Sequence, residues 1–263
     1  MSGKRAIFIT GSGKCGTSVV AHSFYSAGFP MGPQSELVIY EGSRGNINGY
    51  WEHREMLEIN QRILALNSAD WHAAPSSLPL QLDSNVREQM RILSEKVPDG
   101  FCCKEPRLVW TADLWAEWFP SLTLVAVFRN PSGFRRSIAH VWPEEFSAGG
   151  GDDVEFRIWA AANRRLLDLA NRFLCYWVSF DEPVHFLKER LSFVIGQMGK
   201  TFDPNAFDAF YIPEERRFSS PADIEKSTCQ VPAPIASLYQ ELTHRAGCSD
   251  RSGASGHDQV ARR

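Results

Sequence analysis

The sequence predicts an α/β fold in which a central, mostly parallel sheet is flanked by helices. Four short apolar runs, rich in Val, Ile, Phe or Leu, lie at residues 6–10, 101–104, 122–129 and 173–180. Strands that are covered on both faces need such continuous apolar runs. Longer segments with helical periodicity separate the runs, and this alternation is typical of a parallel sheet. A glycine-rich turn directly follows the first run.

Apolar side chains recur at helical spacing in residues 52–66 and 156–170, so one face of each predicted helix packs against other elements. Polar segments rich in small residues are predicted to be loops, at residues 42–49, 70–80 and 144–153. We expect one domain over residues 1–245. The small, polar residues 246–263 are expected to form a disordered tail.

Charge and composition exclude several classes of protein. The 263 residues are 43% hydrophobic and 22% charged, as in ordinary globular domains. With 28 basic and 31 acidic residues, the formal net charge of -3 leaves no basic face for general nucleic-acid binding. No apolar run approaches the roughly 20 residues of a membrane span. The six cysteines form no CxxC pair and the histidines show no ligand spacing, so we expect reduced thiols in the cytoplasm and no metal.

The glycine-rich turn is the strongest functional signal, because it joins a buried strand to an apolar helix through Gly11-Ser12-Gly13-Lys14-Cys15-Gly16-Thr17-Ser18. Backbone amides of such a turn, together with a helix N-terminus, form a cradle for an anion. Lys14 adds a positive charge and two hydroxyls add donors. In the nucleoside-triphosphatase loop a lysine follows the second glycine, but Thr17 stands there, which disfavours ATP hydrolysis. The alternative is a tight strand-to-helix connection without a ligand.

A second element follows the third apolar run. Arg129 ends that run, Pro131 suits the first turn of a helix, and Ser137 lies about two turns into the helix. Ligands of open α/β sheets bind at the carboxyl ends of the strands, so Arg129 and Ser137 are placed to grip one phosphate. The alternative is a surface salt bridge for Arg129 and a solvent-facing Ser137.

The K-x-G-T-S turn at residues 14–18 and the R-N-P-x(5)-S element at residues 129–137 resemble the two cofactor motifs of sulfotransferases. These enzymes use 3′-phosphoadenosine 5′-phosphosulfate (PAPS). Residues 49–52 (GYWE), 104–107 (KEPR) and 178–182 (VSFDE) resemble the bacterial branch of the family, which often reads GYxE and KDPR. The resemblance covers about residues 7–198 and implies a three-layer fold of the P-loop type.

The resemblance implies that the first motif holds the 5′-phosphosulfate and that the second holds the 3′-phosphate. The implied cofactor-binding residues are Gly13, Lys14, Cys15, Gly16, Thr17, Ser18, Arg129 and Ser137. Cys15 departs from the serine common in bacterial relatives, and Val19 stands where many animal members carry an adenine-stacking tryptophan. The late glycine-rich motif of the animal enzymes is absent. Arg216 or Arg217 is a further candidate for the 3′-phosphate, with an exposed charge run as the alternative.

Sulfuryl transfer needs cations that neutralise the leaving oxygen and a base that takes the acceptor proton. Lys14 is the first candidate for the cation, and Lys104, at the end of a strand, is the second; its structural alternative is an ion pair with Glu105. Glu52, predicted to open a helix after an aromatic pair, is the first candidate for the base. Glu105 is the second. Glu41, Glu36 and His53 are also placed for this role by sequence position.

The acceptor pocket is expected from residues 37–51, 70–80 and 142–151, which carry Tyr40, Tyr50, Trp51, Trp71 and Trp142. Such an aromatic lining suits a small molecule, a glycan or a lipid. Two other functions fit the motifs less well. One is a small-molecule kinase with a P-loop, and the other is a nucleotide-binding protein of the same fold that has lost turnover.

Overall fold

The computed structural model describes residues 3–38, 48–146, 153–213 and 231–247. Within them six strands form one sheet in the order β2-β3-β4-β1-β5-β6. Only β2 and β3 pair antiparallel; the other neighbours are parallel. The strands are β1 (Arg5–Gly11), β2 (Leu37–Val38), β3 (Glu52–His53), β4 (Phe101–Lys104), β5 (Ser121–Phe128) and β6 (Leu174–Ser179). The four strands predicted from the apolar runs are thus confirmed to within one residue at each end.

Helices cover both faces of the sheet. Those on one face contribute to an apolar core with Phe8 of β1: α2 (Arg54–Leu66), α3 (Ser84–Lys96), α4 (Leu108–Trp115), α5 (Pro131–Val141), α7 (Val154–Ala170) and α10 (Ala233–Arg245). Those on the other face pack around Ile9: α1 (Thr17–Ser26), α8 (Val184–Gln197) and α9 (Pro204–Phe210). A short helix, α6 (Pro143–Phe146), follows α5. The predicted three-layer α/β architecture is confirmed.

The alternation of side chains along β1 explains why the strand has to be apolar throughout. Ala6 and Phe8 enter one core, whereas Ile7 and Ile9 enter the other. Because successive side chains of a strand point to opposite faces, a polar residue at any of these positions would be buried in one of the two cores.

The prediction that a helix begins at Glu52 is wrong. Glu52 and His53 form strand β3, in which Glu52 is in register with Lys104 of β4. The helix begins at Arg54 because His53 is its N-cap: the Nδ1 atom of His53 accepts a hydrogen bond of 3.4 Å from the amide of Met56. The second predicted helix begins two residues earlier than expected, at Val154.

Of the predicted loops, residues 70–80 form neither helix nor strand. The segment 144–153 begins inside α6, and its residues 147–152 lie outside the described residues. Most of the segment 42–49 and residues 248–263 of the expected tail also lie outside them. Among the described helices, none combines the length and the apolar character that crossing a membrane requires.

Candidate functional site

A cavity of about 450 Å³ lies at the carboxyl edge of the sheet. Four neighbouring strands reach it in the order β3, β4, β1 and β5, through Glu52, Lys104, the turn that contains Lys14, and Arg129. The volume is in the range of ordinary small-molecule sites. Strand spacing separates Glu52 from Arg129 by about 14 Å along this edge. The cavity therefore has two ends, one at Glu52 and one at Arg129.

The glycine-rich turn curls through backbone conformations that favour glycine. The φ angles of Gly13, Lys14 and Gly16 are 72°, 46° and 90°, all in the left-handed region. A Cβ on Gly16 would lie 2.1 Å from the ring of Phe180, so only glycine fits there. A Cβ on Gly13 would meet no atom within 4 Å. Position 16 thus requires glycine because any side chain would collide with Phe180. Position 13 favours glycine because of its backbone conformation alone.

Helix α1 begins directly after this turn, and its N-terminus lies at the cavity wall. Gly16 is its N-cap and supplies no side chain to the first amides. The first amides of a helix have no partner within the helix and carry partial positive charge. Thr17 and Ser18 line the cavity at this point. The hydroxyl of Ser18 donates to the main-chain oxygen of Tyr50 at 3.3 Å. The arrangement suits an oxyanion.

The ammonium groups of two lysines lie near the ring of Tyr50. Lys14 Nζ lies 5.4 Å from the ring centroid of Tyr50 and 5.0 Å from that of Trp142. Lys104 Nζ lies 5.7 Å from the same Tyr50 centroid. These distances are in the range of cation–π contacts, so both lysines predicted to neutralise a leaving group lie at one part of the cavity.

Arg129 joins the second motif to the first. Its Nη1 atom donates a hydrogen bond of 3.1 Å to the main-chain oxygen of Lys14, and its guanidinium lies 5.8 Å from the ring centroid of Phe180. Ser137, half-buried on α5, lines the same cavity. The structure therefore brings the two predicted motifs into one site.

The turn that follows Arg129 is held by a buried carboxylate. Asp181, after β6, accepts hydrogen bonds from the backbone amide of Asn130, from its side-chain amide at 2.8 Å and from the hydroxyl of Tyr239 at 3.1 Å. Asn130 in turn caps α5 by accepting from the amide of Gly133 at 2.6 Å. Burial raises the pKa of Asp181, and the nearby Arg129 opposes this rise. This network fixes the start of the helix that carries Ser137.

Glu52 and Lys104 form an ion pair inside the cavity wall. Lys104 Nζ lies 2.6 Å from Glu52 Oε1, and the two side chains are 2% and 10% exposed. The parallel pairing of β3 with β4 puts the two residues side by side. The carboxylate therefore reaches the cavity from a strand, next to a cation that orients it.

The position of Glu105 speaks against the second prediction for the base. Its carboxylate is fully buried and accepts from Arg107 Nη1 at 2.6 Å and from Asn60 Nδ2 at 2.8 Å. It is not among the described groups that line the cavity. Burial raises its pKa, with Arg107 opposing. An ion pair with Glu105 is the structural alternative that the sequence offers for Lys104, and it is wrong: the partner is Glu52, because that residue is in register on the neighbouring strand.

Cys15 is not among the described residues that line the cavity. It is fully buried in the core that also contains Ile9 and Val20, and burial raises its pKa to about 11. In the predicted cofactor set, Cys15 is thus a residue whose backbone, and not its thiol, belongs to the turn.

The aromatic lining is present in part. Tyr50, Trp71 and Trp142 line the cavity, and the ring centroids of Trp71 and Trp142 are 4.7 Å apart. Trp51 instead packs in the core beside Tyr25, with centroids 4.8 Å apart. Tyr40 lies outside the described residues.

The other candidate bases do not line this cavity in the described structure. His53 and Glu36 form a 3.2 Å pair in a separate cleft that also contains Lys96. Glu41 lies outside the described residues, as do Arg216 and Arg217. In the described part of the chain, no group of three or more His, Cys, Asp or Glu side chains is placed to hold a metal ion.

Several cavity residues were not singled out as site residues from the sequence. Arg107 lies in the KEPR segment, whose tetrapeptide was the only signal for it. Phe180 lies in the middle of the VSFDE segment and contacts the turn. Leu57 and Gln61 of α2 and Tyr211 after α9 also line the cavity, and no motif marks them.

Comparison with known proteins gives similarity in structure only. No family model matches the sequence, and no curated protein does. The sulfotransferase domain from the curacin biosynthetic pathway matches with a TM-score of 0.55 and 14% identity over 93% of this chain and 98% of that one.

Two further matches are weaker. The sulfotransferase domain of the Synechococcus PCC 7002 olefin synthase has a TM-score of 0.46 and 15% identity over 90% of this chain and 86% of that one. Sulfotransferase STF9 from Mycobacterium avium has a TM-score of 0.49 and 10% identity over 93% and 77%. On the first of the three matches, the chain has the fold of a sulfotransferase domain.

Proposed function

We propose that this protein transfers a sulfuryl group from PAPS to a hydroxyl or amine of a small molecule, glycan or lipid. The observation that carries the proposal is the convergence of two phosphate-binding elements on one cavity. The turn at Lys14 and the Arg129–Ser137 element are more than 110 residues apart in the chain, yet Arg129 Nη1 is 3.1 Å from the main-chain oxygen of Lys14. A ligand with phosphates at two separated positions matches such a pair of elements.

The residues present fit PAPS. The left-handed turn at Gly13, Lys14 and Gly16 and the N-terminus of α1 offer amide donors and a lysine, which suit the 5′-phosphosulfate. The buried guanidinium of Arg129 and the half-buried hydroxyl of Ser137 suit the 3′-phosphate, because arginine binds phosphate oxygens through two parallel donors. The open space at Gly13 leaves room for an oxyanion close to the backbone.

The ring of Phe180, at the Arg129 end of the cavity, is suited to adenine. It packs against Gly16 and lies 5.8 Å from the guanidinium of Arg129. Purine rings stack on aromatic side chains. We assign adenine packing to this wall, in place of the tryptophan that many animal members carry after the turn.

The cations of the site supply electrostatic stabilisation. When bound, PAPS would supply the sulfuryl group for transfer to the acceptor oxygen. The ammonium of Lys14, anchored between Tyr50 and Trp142, neutralises negative charge that grows on the leaving oxygen. Lys104 is the second cation. Its side chain is buried and paired with Glu52, which keeps its position fixed.

Glu52 is the group we assign as general base. Its carboxylate lines the cavity and is held by the 2.6 Å contact with Lys104. A carboxylate within hydrogen-bond reach of an acceptor hydroxyl takes the proton as the oxygen begins to bond. Protonation of Glu52 removes the negative partner of Lys104, so the ammonium becomes available to the growing charge nearby. Glu105 is excluded from this role by its buried hydrogen bonds.

The turn supports this function better than phosphoryl transfer from ATP. Thr17 opens α1 at the position where a triphosphate-binding loop carries its lysine. Lys14 stands inside the curl instead, three residues earlier. The β/γ-phosphate clamp of a kinase therefore has no counterpart at position 17.

The proposed function is tested by incubating the protein with PAPS labelled in its sulfuryl group and a panel of phenols, glycans and alcohols. We expect label in at least one acceptor, and none with a Glu52→Gln/Lys14→Met variant. Lys200, exposed and outside the cavity, provides the control Lys200→Met, which should retain transfer. Binding of the cofactor without transfer to any member of a broad panel would instead support the non-catalytic alternative.

A further inference from the structure

Arg107 introduces a further cation into the cavity wall, directly after strand β4. It follows Lys104 of β4 by three residues and lines the cavity together with Leu57 and Gln61 of α2. In the sheet, β4 lies between β3 and β1, whereas Arg129 follows β5 on the other side of β1. Arg107 therefore follows a strand that is next to the strand of Glu52 and two strands from that of Arg129, on the side of the cavity where the proposed function places the acceptor.

The guanidinium of Arg107 has more N–H donors than its contact with Glu105 uses. Its Nη1 atom donates to Glu105 Oε1 at 2.6 Å, and the side chain is 15% exposed at the cavity wall. Within the described ranges no second carboxylate lies within ion-pair distance of it. A guanidinium carries five N–H donors in a planar fork. The contact with Glu105 fixes the fork and leaves its remaining donors for a ligand.

The cations of the cavity wall can be divided by their partners. In the proposed function, Lys14 and Arg129 each belong to one of the two phosphate-binding elements. Lys104 is paired with Glu52. Arg107 alone among these four is assigned neither to the donor nor to the base. A desolvated arginine at a binding site typically recognises a carboxylate or a phosphate.

We propose that Arg107 binds an acidic group of the acceptor, so that the acceptor is a hydroxy acid. The inference rests on the proposed function, in which the acceptor hydroxyl lies at Glu52. Trp71, which lines the cavity and packs on Trp142, provides an aromatic face for the carbon skeleton between the hydroxyl and the acid. Arg107 is thereby a specificity-determining residue, and the base remains Glu52.

The test measures binding rather than turnover. Three phenolic acids of increasing length (4-hydroxybenzoate, 4-hydroxyphenylacetate and 3-(4-hydroxyphenyl)propionate) are each compared with their carboxamide by calorimetry, with and without adenosine 3′,5′-bisphosphate. We expect at least one acid to bind about 10-fold or more tightly than its amide, as a charge-assisted pair implies. Arg107→Gln should abolish this difference and leave binding of the amide within about 2-fold.

A second variant guards against misfolding, since Arg107→Gln leaves Glu105 buried without its cation. The double variant Glu105→Gln/Arg107→Gln replaces the buried ion pair with two amides and should also lose the preference for acids. Equal binding of acids and amides, a preference that survives in both variants, or no binding of any acid at millimolar concentration would overturn the inference. Failure of adenosine 3′,5′-bisphosphate to bind would instead count against the proposed function, because the comparison without nucleotide is independent of it.

Discussion

The guanidinium of Arg129 donates a 3.1 Å hydrogen bond to the main-chain oxygen of Lys14. One residue follows β5 and the other lies in the turn after β1, and these two strands are neighbours in parallel register from Arg5 and Ser121 to Gly11 and Val127. The sheet therefore fixes the distance between the two elements that we assign to phosphate binding before any ligand arrives. Such preorganisation lowers the entropic cost of binding a ligand that contacts both.

Replacement of Lys14 tests its proposed effect on the rate of transfer separately from nucleotide binding by the turn. In Lys14→Met we expect kcat to fall by about 10²- to 10³-fold, because a cation that meets developing charge contributes mainly in the transition state. Affinity for adenosine 3′,5′-bisphosphate should fall by only about 10-fold, since the backbone amides remain. Steady-state rates and calorimetry measure the two quantities. A variant with unchanged kcat would remove Lys14 from the mechanism.

The ion pair between Glu52 and Lys104 predicts that substitutions at the two positions have non-additive effects on the free energy of unfolding. Lys104→Met leaves a carboxylate without its cation in the cavity wall and should lower the free energy of unfolding by about 3–5 kcal/mol. The double variant Glu52→Gln/Lys104→Met removes both charges and should lose clearly less than the sum of the single variants. Urea denaturation of the wild type, of Glu52→Gln, of Lys104→Met and of the double variant measures these losses. Additive losses would show that the 2.6 Å contact contributes nothing to stability.

Two glycines in the left-handed region distinguish backbone strain from steric contact. Gly28 has φ 80° with open space at its Cβ position, whereas Gly16 has φ 90° and the ring of Phe180 at 2.1 Å. Gly28→Ala should cost about 1–2 kcal/mol from its conformation alone. Gly16→Ala should cost more and weaken nucleotide binding, because the ring or the turn has to move. Thermal unfolding and calorimetry measure both effects; equal losses in the two variants would contradict the contact.

The burial of Cys15 predicts an unreactive thiol in the middle of the binding turn. Its pKa is raised to about 11, so at pH 8 only about one molecule in a thousand carries the thiolate that reacts with iodoacetamide. We expect negligible alkylation of Cys15 in the folded protein and complete alkylation in urea, measured on the peptide by mass spectrometry. Rapid labelling of the folded protein would show that the thiol faces the cavity.

The sequence predicts four of the six described strands well, because a continuous apolar run is typical of a strand that is covered on both faces. Strand β3 escapes prediction, since Glu52 and His53 are two polar residues with no periodicity to read. They are a strand because Glu52 is in register with Lys104, more than fifty residues away, and because both residues pair with β2. The same long-range pairing decides that Glu52 reaches the cavity and that Glu105 does not.

The motifs likewise indicate which residue types meet, but not the direction in which each side chain points. Lys14 has a positive φ and the next residue, Cys15, is buried in the core, and no sequence pattern specifies either. Trp71 and Trp142 come together from distant segments through packing of α2 and α5 against the sheet. Arg107 is marked only by a tetrapeptide, and its place at the cavity depends on where Glu105 and Asn60 meet in the core.

The central claim is that Lys14 and Arg129 together bind a nucleotide with phosphates at both the 5′ and the 3′ positions. Calorimetry with adenosine 3′,5′-bisphosphate and with AMP tests it most directly, in the wild type, in Arg129→Gln and in the control Arg135→Gln, whose side chain is 47% exposed on α5, the helix that follows Arg129. We predict that the wild type and the control bind the bisphosphate at least about 10-fold more tightly than AMP, and that Arg129→Gln binds both alike. Equal binding of the two nucleotides by the wild type would contradict the account.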